Sequence, residues 1–370
     1  MTEYVKKHLD YVMFFSTVLL VSIGVTMSYS ASAVLSGERY GSAYFFLKKT
    51  IFYAVIGFTV LLMVARVHYL FFKKLVYPIL AVCSLLVLMV FIPGVGHSVG
   101  GATRWLTLGP VNLQPSEALK LAVIIFMAYS LEKKDEKMGT FGFGFVYHLV
   151  ALAIFSSIVL IQKDFGSAMT IIMVGIVMMV GAGIRWRYLL ISIAMLIPAA
   201  VWLIMSSGYR LRRIAAFMNP WQDQYGSGFQ VIQSLVAFNQ GGWFGKGLGQ
   251  GQQKLFYLPE AHTDFIFSVI GEELGFVGCA AVVALFAVFC YRGLYLAIGA
   301  KDLFGRYLIM GVTTLICMEA VLNMGVVMGL LPPKGMALPF ISYGGSSLIM
   351  SLAAVGIILS VSAYGRQGDA

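Results

Sequence analysis

Ten runs of mostly apolar residues follow one another along this chain, most of them close to the twenty or so residues a helix needs to cross a bilayer. They cover residues 11–33, 47–65, 75–92, 117–131, 145–161, 167–184, 188–206, 265–291, 307–331 and 341–363. A soluble core has no room for so much apolar surface. Hydrophobic residues make up 59% of the chain and charged residues 11%, against about 45–50% and 25% in soluble domains. The pattern predicts an all-α polytopic membrane protein with ten transmembrane helices. It reads as one membrane domain over residues 1–370, with a single long outer loop, 207–264, between helices 7 and 8. Nucleases, P-loop ATPases and secreted disulfide scaffolds are poor fits. Cys83, Cys279, Cys290 and Cys317 all lie inside apolar runs, with no disulfide or metal spacing.

The first run needs care, because Lys6 and Lys7 precede it and Ala31-Ser32-Ala33 resembles a signal-peptidase site. Its length and the spans that follow favour an uncleaved first helix. The formal charge of +10 does not point to nucleic acid. The basic residues sit in short connections, where they set topology and meet anionic lipid. With the N-terminus inside, 14 of the 26 Lys and Arg fall on inner segments. Of the outer residues, Arg210, Arg212, Arg213, Lys246 and Lys254 belong to the 58-residue loop and are discounted, because long loops translocate regardless of charge. Both termini are therefore expected in the cytoplasm, and any chemistry on the outer face.

Two spans break the apolar rule. The fourth has only 11 uninterrupted apolar residues, 121–131, about 16 Å of helix. It must recruit Glu117 and Lys120, which share a helix face and are expected to line a site or to form a structural ion pair. In the eighth, Asp264 precedes Phe265-Ile266-Phe267, and Glu272-Glu273 interrupt the run before the span proper. If residues 264–273 dip into the leaflet, partial desolvation of Asp264 favours proton uptake and suits a general base. A plain helix cap explains that aspartate equally well.

Four other places carry chemistry-bearing residues. Asp164, before Gly166, reads as a turn with a cap. Arg104 beside Trp105 suits a phosphate or a sugar face. Residues 241–251 hold six glycines with Lys246 among them. They are not a Walker loop, since Gly247 stands where Ser or Thr is required. Glu319, one turn before Asn323, is either a proton relay or a protonated, hydrogen-bonded buried acid, and the second is favoured.

These residues together resemble a known family. His262-Thr263-Asp264-Phe265-Ile266-Phe267 with Gly271-Glu272-Glu273-Leu274-Gly275 is similar to the signature of the SEDS proteins (shape, elongation, division and sporulation). So are Gln114-Pro115-Ser116-Glu117 with Lys120, Arg104-Trp105-Leu106, Asp164 with Gly166-Ser167, and Ser342-Tyr343-Gly344-Gly345-Ser346-Ser347. The resemblance covers nearly the whole chain. Lys334-Gly335 before Leu338-Pro339 looks more like the FtsW and SpoVE branch than the RodA branch.

The resemblance implies a ten-span peptidoglycan glycosyltransferase of the bacterial cytoplasmic membrane that polymerises lipid II. Asp264 would be its essential aspartate. Arg104, Glu117, Lys120, Asp164, Lys246, His262 and Ser346 are the candidate substrate-binding residues. A class B penicillin-binding protein transpeptidase and other division or elongation membrane proteins are the implied partners. The departing pyrophosphate is neutralised by outer cations, Lys120 and Arg104 first, or by a divalent cation, Mg2+ or Mn2+. The residues leave any metal ligands unknown. A lipid II flippase without covalent chemistry is the alternative, with a non-catalytic scaffold behind it. The role in division, sporulation or elongation stays open in the sequence.

Overall fold

The computed structural model describes residues 9–99, 102–108, 111–205, 217–224, 226, 228–254, 261–332 and 335–365. Lys6, Lys7, Arg210, Arg212, Arg213 and Arg366 of the charge count, and Lys334 of the branch signature, lie outside the described residues.

A helix occupies each apolar run. In chain order these are α1 (Tyr11–Tyr40), α2 (Phe45–Arg66), the short α3 (Leu70–Lys74), α4 (Val76–Met89), α5 (Pro115–Lys133), α6 (Tyr147–Ile161), α7 (Phe165–Gly181), α8 (Trp186–Met205), α9 (Phe229–Gly241), α10 (Ile266–Ile298), α11 (Leu303–Val327) and α12 (Gly345–Tyr364). Among the described residues six helices are long and apolar enough to cross a membrane: α1, α2, α6 with the π-helical turn before it, α10, α11 and α12.

Local chemistry sets several ends. Asp10 caps α1, accepting from the Met13 amide at 2.9 Å. The helix runs unbroken through Ala31-Ser32-Ala33 to Gly41, whose φ of 67° closes it. Pro115 opens α5, where its missing amide hydrogen costs nothing. As the length argument requires, α5 takes in Glu117 and Lys120.

Polarity decides which helices lie inside. α5 carries its charges at the centre of the bundle, enclosed by α4, α7 and α11, and nearly every side chain from Leu119 to Leu131 is buried. α12 packs along α2 with most of its residues buried, while α10 buries its first eight residues but few beyond Gly275, where it presents a broad apolar face outward.

Two features depart from the sequence reading. The connection after α4 is not irregular, so the all-α expectation fails there. It folds into an antiparallel sheet in the order β1 (Gly96–Val99), β2 (Ala102–Leu108), β3 (Val111–Leu113), with Trp105 opposite His97 and Leu106 opposite Leu113. The second departure is in α10, which is broken at Gly275 (φ 67°, ψ −164°). Residues 242–247 zip along the break. The amides of Lys246 and Gly247 donate to the carbonyls of Glu272 and Glu273, each at 3.0 Å. The amides of Phe276 and Val277 donate to the carbonyls of Gly242 and Trp243 at 2.9 and 3.1 Å. The backbone groups freed by the break are thus satisfied by the glycine-rich loop.

Candidate active site

The N-termini of α5, α7, α10 and α12 meet at one end of the bundle, joined by a chain of hydrogen bonds. At the start of α12, Ser346 Oγ accepts from the Gln114 amide at 3.0 Å and donates to the Asn112 carbonyl at 2.8 Å. Gln114 Nε2 and Ser116 Oγ, at the start of α5, donate to Asp164 at 3.2 and 3.0 Å. Asp164 in turn caps α7, accepting from the Ser167 amide at 3.1 Å and its hydroxyl at 2.8 Å. Burial opposes ionisation of Asp164. The Ser167 hydrogen bonds and the nearby charges of Arg104 and Lys120 outweigh it and hold the carboxyl below its ordinary range. Arg104 reaches this cap from β2 through Nη2, which donates to the Lys163 carbonyl at 2.5 Å. Asp164 and Ser346 therefore bind the helix ends together.

The charged centre lies one turn deeper. Lys120 Nζ is 2.8 Å from Glu117 and also contacts Glu319 of α11. Lys120 is only 5% exposed, and the cavity beside it is about 10 Å³, room for a single water. The ammonium is held between two carboxylates, the ion pair that the sequence set beside a site-lining role. Glu319 is hydrogen-bonded to a neighbouring helix, as favoured from the sequence, and its partner is the Lys120 ammonium. Sequence reasoning weighed it without finding its lysine.

Asp264 is pinned backbone-first. Its carbonyl accepts from Asn323 Nδ2 at 2.8 Å, and the carbonyls of Thr263 and His262 accept from the Ser342 hydroxyl at 2.5 Å and the Tyr343 amide at 3.0 Å. The His262 ring lies among Phe46 and Tyr343. The N-cap position of α10 is Phe265, so Asp264 stands ahead of the cap. Its carboxylate sits against Gly335, where a Cβ would come within 2.7 Å of Oδ2. Glu319 and Asn323 are i and i+4 on α11. The backbone hold on Asp264 and the carboxylate hold on Lys120 are therefore one helical turn, about 6 Å, apart along a single rigid helix.

Lys246 belongs to a second centre, at the break in α10. Glu272 and Glu273 are fully buried. Glu272 accepts from Lys246 Nζ at 3.1 Å and from the Gln252 and Gln253 amides at 2.7 and 3.1 Å. Glu273 accepts from Lys254 Nζ at 2.5 Å, Ser30 Oγ at 2.6 Å and the Gly249 amide at 3.0 Å. An open groove of about 540 Å³ runs beside this centre, between Thr26, Tyr29 and Ser30 of α1 and Leu248, Gln250 and Lys254 of the loop. Adjacent acids inside an apolar run were the sequence signal for this centre, but nothing in the sequence named their partners.

Among the described residues no three His, Cys, Asp or Glu side chains converge. Asp164 is occupied by Ser116, Ser167 and Gln114, and Glu117 by Lys120. Among the described residues the side chains do not assemble a cage for Mg2+ or Mn2+.

The family model described as cell cycle protein, FtsW/RodA/SpoVE, matches residues 10–367. A probable peptidoglycan glycosyltransferase FtsW of Geobacter metallireducens is 49% identical over 353 residues, which are 95% of this chain and 94% of the relative. The stage V sporulation protein E of Bacillus subtilis is 41% identical over 96% of this chain and 98% of its own. Among solved structures, a chain of a peptidoglycan synthase complex that coordinates polymerization and crosslinking superimposes with a TM-score of 0.80. It is 29% identical and matches over 97% of this chain and 99% of that one. The rod shape determining protein RodA of Thermus thermophilus gives 0.70 at 25% identity, over 98% of each chain. The helices, the pinned aspartate and these likenesses agree: the chain is an integral membrane protein that belongs to the FtsW/RodA/SpoVE family.

Proposed function

We propose that this protein is a peptidoglycan glycosyltransferase that polymerises lipid II at the outer face of the bacterial cytoplasmic membrane, for division or sporulation. The single observation that carries the chemistry is α11, which fixes the Asp264 backbone through Asn323 and Lys120 through Glu319, one turn apart. A proton acceptor and a cation held by one helix suit the two ends of one displacement. The acceptor hydroxyl of one lipid-linked sugar attacks C1 of the donor sugar, and Asp264 takes its proton. The C1–oxygen bond to the pyrophosphate breaks with inversion, and the leaving group keeps the bonding electrons.

Four helix N-termini and the cations Lys120 and Arg104 favour the charge that accumulates there. Glu117 and Glu319 orient Lys120, Asp164 holds the helix ends, His262 and Ser346 brace the Asp264 and Gln114 segments, and Lys246 braces the loop. A polyprenyl chain has the groove along α1 to lie in.

The reading carries the finer expectations with it. These are ten spans in one domain, residues 207–264 outside, both termini cytoplasmic, and a class B penicillin-binding protein as the partner that cross-links the product. A flippase is less well supported, because it needs a path that continues to the inner face and the inner connections carry no matching motif. The test is purified protein incubated with lipid II and resolved on a gel. Glycan polymer from the wild-type chain and none from Asp264→Asn supports the reading, and polymer from both removes Asp264 from the chemistry.

A further inference from the structure

The break in α10 lies at a depth that can be measured along the helix. On the side away from the site, Arg292 makes a bidentate pair with Asp10, at 2.8 and 2.6 Å, between Tyr291 and Tyr295. An ion pair flanked by tyrosines marks the edge of the hydrocarbon. From Arg292 back to Phe276 is sixteen residues, about 24 Å of helix, and the hydrocarbon is about 30 Å thick. Tilt only shortens that reach. Phe276 and Val277 therefore stop short of the opposite edge, and Gly242 and Trp243, hydrogen-bonded to them, stop with them.

Three independent features fit that depth. The tip is apolar and turned out: Trp243 is 69% exposed, Phe244 83% and Leu248 55%. Trp243 packs edge-on against Phe276 at 5.1 Å, so the tip continues the outward apolar face of α10. The backbone around the break is bonded to the loop at four places, as lipid demands and water does not. Finally, the charges behind the tip are matched: Glu272 and Glu273 are fully buried and paired with Lys246 and Lys254.

We propose that residues 241–254 form a re-entrant element whose tip, Trp243 and Phe244, is immersed in the acyl chains of the leaflet on the Asp264 side. The occupant of this surface is lipid. A hydrated glycine loop and a partner-covered patch are the alternatives. The inference does not depend on the proposed chemistry.

The test uses the full chain with Trp105, Trp186, Trp202 and Trp221 changed to Phe, leaving Trp243. It is placed in phosphatidylcholine–phosphatidylglycerol vesicles with and without brominated acyl chains. The expected result is blue-shifted emission that loses most of its intensity to the brominated lipid and little to aqueous iodide. Strong iodide quenching, or protection from both quenchers, overturns the proposal. If the fourfold variant does not fold, the wild-type chain is compared with Trp243→Phe. The difference between their spectra must carry the bromine-sensitive emission, and an iodide-sensitive or insensitive difference overturns the proposal equally.

Discussion

At the scale of single residues, Lys120 governs the balance of charge in the bundle. Lys120→Met leaves Glu117 and Glu319 facing one another without their cation, and is expected to cost about 3–5 kcal/mol, read as a fall in melting temperature in detergent. Glu319→Gln leaves the Lys120–Glu117 pair intact and is expected to be far milder. Equal losses from the two would mean that Glu117 alone does not hold the Lys120 charge. Asp264→Asn is expected to keep the fold, because its backbone carbonyl still accepts from Asn323, while polymer synthesis disappears. Asp164 adds a dependence on pH. Its folded carboxyl titrates below the unfolded one, so its contribution is whole above about pH 4 and drains away as pH falls through the folded value. Asp164→Asn should flatten the acid side of a melting-temperature profile. Glu117 and Lys120 were legible because a helix of fixed rise could not span without them. The pairing of Lys120 with Glu319 was not, since a partner 199 residues away is a product of packing.

At the scale of elements, the apolar runs were legible because a bilayer imposes one length on every helix that crosses it. The small sheet was not. Its alternation of Thr103, Trp105 and Thr107 with Arg104, Leu106 and Leu108 is short and lies among glycines, where strands and loops look alike. The break in α10 was half legible. Paired glutamates announced an interruption, but the backbone parts at Gly275, two residues further on. Gly275→Ala tests the geometry. At φ 67° an alanine is strained, and its Cβ would lie 2.3 Å from the Gly245 nitrogen and 2.6 Å from the Trp243 carbonyl oxygen. A loss of about 3 kcal/mol or more is expected, read by thermal unfolding. A variant as stable as wild type would mean that the loop does not seal the break.

At the scale of the whole molecule, the two ends of the bundle differ in kind. One gathers the starts of α5, α7, α10 and α12. The other is a clasp: Arg292 on Asp10, the Tyr69 hydroxyl on Asp302, the Lys301 amide on the Gly365 carbonyl at 2.7 Å, and the Ser360 hydroxyl on the Val67 carbonyl at 2.5 Å. The clasp ties the first helix and the last to the middle of the chain. Sidedness is checked by thiol labelling. A cysteine at Gly226 is expected to react with an impermeant reagent on intact cells, and one at Asp135 only after permeabilisation. The reverse pattern would turn the molecule over in the membrane and take the proposed substrate face with it.

The zipper across α10 also bears on how the protein is made. Residues 242–247 leave the ribosome before residues 272–277, so the strand that completes the helix exists before the helix does. An insertion machine that releases spans one at a time has no finished span to release at α10, because its interior carbonyls and amides close only when the earlier segment lies alongside. Loop and helix are then expected to leave the translocon together. A chain stalled just after residue 254 would hold Lys246 and Lys254 with no acids yet made to receive them.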